Sequence, residues 1–120
     1  MAKDTVCTLH PYFKVKPGQL AAFKAGVAGF VERTGSEKGC VHYAFSFDGD
    51  TAHCREGYDD AAAMLAHLDN VGALLAEALK IADITRLEVH GPAAEIDKLR
   101  GPLAGLKPQF FILEPGGIRR

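Results

Sequence analysis

The segment VHYAFSFDGDTAHCREGYDDAAAMLAHL, residues 41–68, carries three elements in one line. Val41, Tyr43, Phe45 and Phe47 alternate with smaller or more polar residues, so a strand over Val41 to Phe47 puts these four on one face. Asp48-Gly49-Asp50 has the chemistry of a tight turn, since glycine and aspartate accept the backbone conformations that hairpins demand. A second strand, Thr51 to Tyr58, then pairs antiparallel with the first. Asp59 or Asp60 is placed to cap a helix through Ala61 to Leu68 that ends near Asp69-Asn70, with a further helical turn or two over Val71 to Lys80. Between Tyr43 and His67 this one segment holds two histidines, a carboxylate and two phenols, the groups that proton transfer on an aromatic or enol-like substrate requires.

Working outward, Thr5 to Val15 is rich in β-forming residues and closes at Pro17-Gly18. Pro11 within it points to a bulge or an exposed edge. Leu20, Phe23, Val27, Phe30 and Val31 recur at helical spacing, so an amphipathic helix is expected over Gln19 to Arg33, with Gly35 at its end. After the central segment, Ile84 to His90 alternates as a fourth strand. A short helix from Ala93 to Leu103 and a last apolar strand, Phe110 to Leu113, complete the order. This is βαββαβ with an appended αβ, an α+β, ferredoxin-like pattern with an antiparallel sheet. Helices on one face leave the other sheet face and the last strand uncovered, so a homodimer through sheet faces and C-terminal strand is expected.

The chain has 120 residues and 48% hydrophobic content, which suits one domain with a core over about residues 5–113 and a loose tail at 114–120. A formal net charge of −1, with both signs interspersed, gives no general attraction to nucleic acid or anionic lipid. Met1-Ala2-Lys3-Asp4 is followed by no long apolar stretch, so no export signal or membrane span is expected and the protein is read as cytoplasmic. Cys7, Cys40 and Cys54 are odd in number and lack paired C-x-x-C spacing, which fits reduced thiols.

Among the chemistry-bearing residues, His67 on the second helix is a candidate base, because imidazole titrates near neutral pH. The alternative is a core or interface histidine. Glu56 shares a strand face with Cys54 and Tyr58 and is placed to orient His67 or bind a substrate hydroxyl, although a carboxylate near a helix start is also favoured by the dipole alone. Tyr43 and Tyr58 are candidates for oxyanion stabilisation or stacking, or are core residues. Phe45 belongs to the core and lines whatever pocket forms there. His53 alternates away from Glu56, toward the opposite sheet face. His10 and His90 sit on neighbouring strands and are reserve candidates for a pocket. Five histidines show no metal-ligating spacing, so no metal site is expected.

Phe13-x-Val15-Lys16-Pro17-Gly18, Tyr43-x-Phe45 and Glu56-Gly57-Tyr58-Asp59, with Ala62 or Ala63 one turn into the helix and His67 beyond, resemble the antibiotic biosynthesis monooxygenase family of the dimeric α/β-barrel superfamily. The likeness spans about Thr5 to His90. It implies a dimeric α/β barrel and a monooxygenase that needs no metal or flavin, acting on a small quinol or polyphenol. In such chemistry a base removes a hydroxyl proton and the electron-rich product reacts with dioxygen. The resemblance implies His67, Glu56 and Tyr58 as catalytic residues and Tyr43 and Phe45 around the substrate, with His10 and His90 added there by their strand positions alone. Two departures bear on the reaction. Tyr58 stands where many relatives carry Trp, and the only Asn is Asn70, so the Asn, Trp and His set of related haem-degrading enzymes is absent. A non-catalytic dimeric module holding a small aromatic or lipid-like ligand, and an oxygen-independent isomerase or lyase, are the alternatives.

Overall fold

In a computed structural model, which describes residues 3–120, strand β1 (Cys7–Val15) turns Cys7, Leu9, Pro11, Phe13 and Val15 to the buried side and the intervening residues away from it. This period of two is the reading that sets the fold, because everything apolar must then collect on one side of the sheet. Helix α1 (Leu20–Thr34) buries Phe23, Phe30 and Thr34. Strands β2 (Cys40–Asp48) and β3 (Thr51–Tyr58) form the hairpin, whose turn glycine, Gly49, takes φ 60°. Helix α2 (Ala61–Ala78) follows, then β4 (Ala82–Gly91), α3 (Ala93–Arg100), a single 3-10 turn (Ala104–Leu106) and β5 (Gln109–Ile112). The five strands form one sheet in the order β2-β3-β1-β4-β5, the ferredoxin-like arrangement with one added edge strand.

Several details depart from the expectations above. Pro11 is on neither a bulge nor an edge: β1 is the central strand, and Pro11 is buried opposite Leu87 of β4. The β1–β3 register is unbroken, but no paired positions lie between Leu9↔Glu56 and Tyr12↔His53, the gap left where the proline has no N–H to give. The irregularity lies at the next step, where the β1–β4 register shifts between Tyr12 and Phe13 and brings Ile84 to the inner side. A second shift between Cys40 and His42 leaves Val41 exposed, so only Tyr43, Phe45 and Phe47 share the inner face of β2.

Helix α2 does not stop at Asp69-Asn70 but runs on unbroken to Ala78. Asn70 makes its bonds sideways, to the Arg33 carbonyl at 3.1 Å and to Glu37 at 2.8 Å, and so offers the backbone no competing partner. Helix α3 ends at Arg100, earlier than expected. Strand β5 runs parallel to β4, so the sheet is mostly, not wholly, antiparallel. The start of the chain, Met1-Ala2, lies outside the described residues. Among the described residues no helix is long and apolar enough to cross a membrane.

The start of α2 is held twice. Asp60, the N-cap, accepts from the Ala63 N–H at 2.9 Å, and buried Glu95 of α3 accepts from the Ala61 N–H at 3.0 Å. The C-terminal extension thus braces the helix that carries His67. Under the helices the core forms two clusters. One gathers Cys7, Leu9, Tyr58, Met64, Leu87, Val89, Ile96 and Leu99; the other gathers Phe13, Val15, Phe23, Ala52 and Ala82. The candidate site lies at the seam between them.

Candidate functional site

Glu56 points from β3 toward α2, flanked in register by Tyr43 of β2 and Leu9 of β1. It is 3% exposed, and a carboxylate so placed must find partners to remain folded. One is Tyr58, two residues along the same face, whose hydroxyl donates to Glu56 Oε1 at 2.6 Å. The other is His67, 2% exposed, whose Nε2 stands 3.3 Å from the same oxygen. The opposite ring nitrogen, Nδ1, is 2.9 Å from Glu37 Oε2 and 3.1 Å from Oε1. Glu37 is steadied in turn by Asn70 at 2.8 Å, and Asn70 by Arg33. A continuous chain, Tyr58–Glu56–His67–Glu37–Asn70, therefore runs from the core to the surface.

Between two carboxylates the His67 ring is best satisfied as a cation donating from both nitrogens. Burial pulls its pKa down, but the hydrogen bonds and charges of Glu56 and then Glu37 outweigh burial, and the pKa stands above the ordinary imidazole value. The rings of Tyr58 and Tyr43 pack on it, with centroids 4.9 and 5.2 Å away. Burial, and then the Glu56 charge, push the Tyr58 phenol well above its usual range, so it stays a protonated donor. Burial likewise raises the Tyr43 phenol, with Cys54 and Glu56 adding to the effect. The same two influences, burial first and Glu56 second, raise the Cys54 thiol, while Cys7 is pushed up to about 12. Neither is a thiolate near neutral pH.

Glu56, His67, Tyr43 and Phe45 form one side of a narrow cavity under the helices. Leu9, Phe13, Phe30, Leu68, Ile84, Leu87 and Leu106 supply most of the rest. Its free volume of about 40 Å³ is space for little more than water until side chains withdraw. Tyr58 does not reach the wall; it stands behind Glu56. His10 and His90, expected near a pocket, lie on the other face of the sheet with His53. There the His10 ring lies 4.5 Å from His90 and 5.7 Å from His53. Burial lowers the pKa of His10 and of His53, while His90 Nε2 lies 2.9 Å from Glu88 Oε1. Among the described residues no group of three or more His, Cys, Asp or Glu side chains is arranged to hold a metal ion.

Glu37 is the residue that sequence reasoning missed. It sits in the loop between α1 and β2, 30 residues from His67, and no motif spacing connects the two.

A family model described as antibiotic biosynthesis monooxygenase matches residues 7–78. No curated protein matches the chain. Among solved structures, that of MupZ from Pseudomonas fluorescens superposes with a TM-score of 0.92 at 52% identity, covering 97% of this chain and 96% of that one. A protein of Chloroflexus aurantiacus J-10-fl with a provisional antibiotic biosynthesis monooxygenase assignment gives 0.61 at 22% identity, over 73% of this chain and 93% of that one. A conserved protein from Methanosarcina mazei Go1 gives 0.65 at 16%, over 71% and 90%. The last two share the fold.

Proposed function

Because the chain belongs to the antibiotic biosynthesis monooxygenase family, we propose that it is a cofactor-independent monooxygenase acting on a small quinol or polyphenol in the cavity beside Glu56 and His67. The observation that carries this reading is the buried His67 held between Glu56 and Glu37 at the wall of an apolar cavity. An imidazolium cannot take a further proton, so in this reading the base is Glu56 and His67 is its cationic partner. Glu56 removes the substrate hydroxyl proton. Glu56 then holds that proton and returns it to the oxygen atom that leaves as water. Glu37, with a side chain 12% exposed, holds the far side of the imidazolium. The imidazolium also stabilises the phenolate, an effect strengthened by the apolar surroundings. For a hydroquinone the balance is quinol plus dioxygen to hydroxyquinone plus water. The substrate supplies all the electrons, one oxygen atom enters the ring and the other leaves as water.

Oxygen uptake with a panel of hydroquinones and catechols tests this. Uptake that depends on protein and substrate together, and disappears in Glu56→Gln, is the expected result; uptake at the rate of buffer alone sinks it. A second reading, an isomerase or lyase that moves a proton without oxygen, is favoured by the adjacency of a carboxylate and a protonated imidazole on one wall, an acid and a base side by side. Turnover that persists in anaerobic solution separates it from the first, and ligand retained without turnover marks a binding module instead.

The same reading includes a homodimer through the far sheet face and β5. That face carries Tyr12, His10, His53 and His90 packed ring to ring, and Phe111 and Ile112 of β5 and Leu113 just beyond it are exposed. Sedimentation equilibrium is expected to return twice the 12.9 kDa chain mass; a single-chain mass at micromolar concentration removes the dimer.

A further inference from the structure

Helices α1 and α2 are clasped at one end and parted at the other. At the clasped end Asn70 donates to the Arg33 carbonyl and receives from the Arg33 guanidinium. One turn on, Gly29 lies against Leu74, with 3.9 Å between the position of a Cβ and the leucine methyls. Beyond that the helices leave a groove of about 310 Å³ lined by Ala22, Phe23, Gly26, Val27, Leu74 and Ala78. Its inner end is formed by Phe30 and Phe45, which are also walls of the Glu56–His67 cavity. The two spaces are therefore separated by two aromatic side chains.

From these facts we infer that the groove holds an apolar tail of the substrate whose reactive end lies against Glu56 and His67, the two parts joined past Phe30 and Phe45. The inference rests on the site reading above and adds the substrate class: a head with an ionisable hydroxyl and a linear hydrocarbon tail. Three observations select this occupant. The inner space of about 40 Å³ admits a ring only as side chains withdraw and leaves nothing for a tail, while the outer one is already of ligand size. The groove is apolar apart from Glu77 and Lys80, which pair with each other at 3.1 Å and so offer no unpaired charge to a polar guest. Small residues keep it open: a Cβ on Gly26 meets nothing within 4 Å. From Phe30 to Ala22 the helix extends roughly 12 Å, the reach of a medium-length alkyl chain.

Gly26→Leu fills the groove, and leucine favours a helix more than glycine does, so the variant keeps its fold. Titration calorimetry under nitrogen with methyl-, butyl- and octylhydroquinone, and with 1-octanol as a headless probe, reads the result. For wild type, affinity is expected to rise with tail length by up to about fourfold per methylene. In Gly26→Leu the rise disappears, while methylhydroquinone binds as it does to wild type. A wild-type series that is flat with tail length, or an octyl affinity unchanged in Gly26→Leu, overturns the tail groove. If 1-octanol binds to wild type and not to Gly26→Leu while methylhydroquinone binds to neither, the groove stands and the quinol reading of the inner site falls.

Discussion

Replacing His67 with alanine is expected to abolish turnover and to weaken the fold together. The ring is the shared cation of two carboxylates, at 3.3 Å from Glu56 and 2.9 Å from Glu37. Without it, Glu56 is a charge 3% exposed with only the Tyr58 hydroxyl as a partner. Removing one member of a buried ion pair costs about 3–5 kcal/mol, because the charge left behind is uncompensated. That is a large fraction of the stability of a small domain. Urea unfolding at pH 7 measures this loss. Measuring the same loss in a Glu56→Gln background checks its cause, since removing the carboxylate charge removes the penalty. For activity, the loss of the cation that stabilises the phenolate is expected to lower the rate by roughly 10²–10³. A His67→Ala protein with the wild-type unfolding midpoint and wild-type oxygen uptake contradicts both arguments.

Glu56→Gln separates chemistry from folding. The amide keeps the shape and still accepts from Tyr58, so the fold is expected to survive, but the proposed base is gone and the rate is expected to drop by at least about 10². The substitution also moves His67. Its pKa is raised, against the pull of burial, by Glu56 first and Glu37 second; with either carboxylate neutralised it is expected to move back toward the ordinary imidazole value. The sign of the stability effect follows. A pKa raised on folding means the ion pairs stabilise in full below the unfolded value of 6.5, and the contribution is lost as pH rises through the folded value. Wild type is therefore expected to lose stability on the alkaline side of pH 6.5, and Glu56→Gln and Glu37→Gln to lose less over the same range. The imidazole proton resonances of His67 report the pKa directly. A wild-type His67 titrating at or below 6.5 contradicts the assignment of Glu56 as base, because the ring would then be free to accept the proton itself.

How much of this was legible beforehand depended on range. The hairpin around Gly49, the inner face of β3 with Cys54, Glu56 and Tyr58, and the position of His67 within α2 all follow from periods of two and 3.6, which act between near neighbours. His53 was placed on the opposite face by the same alternation. The end of α2 was not legible. Asp69-Asn70 has the composition of a helix stop, but Asn70 is drawn to Glu37 and Arg33 across the α1–α2 contact, and that competition is invisible along the chain. His10 and His90 were placed on neighbouring strands, where they are, but which face they share depends on the direction in which the sheet packs.

The amino-acid sequence alone determines the element order, the inner faces and the set of groups available for acid–base work, because these rest on local backbone periodicity and side-chain chemistry. Only the tertiary structure decides how those groups are charged. Glu37 reaches His67 from a loop 30 residues away, and an imidazole with one carboxylate neighbour is a different acid from one with two. Tyr58, expected at the substrate, stands behind Glu56 instead, and the cavity wall passes to Glu56, His67, Tyr43 and Phe45. Those assignments depend on distances between distant segments and on the water excluded between them, which set the strength of every charge in the site.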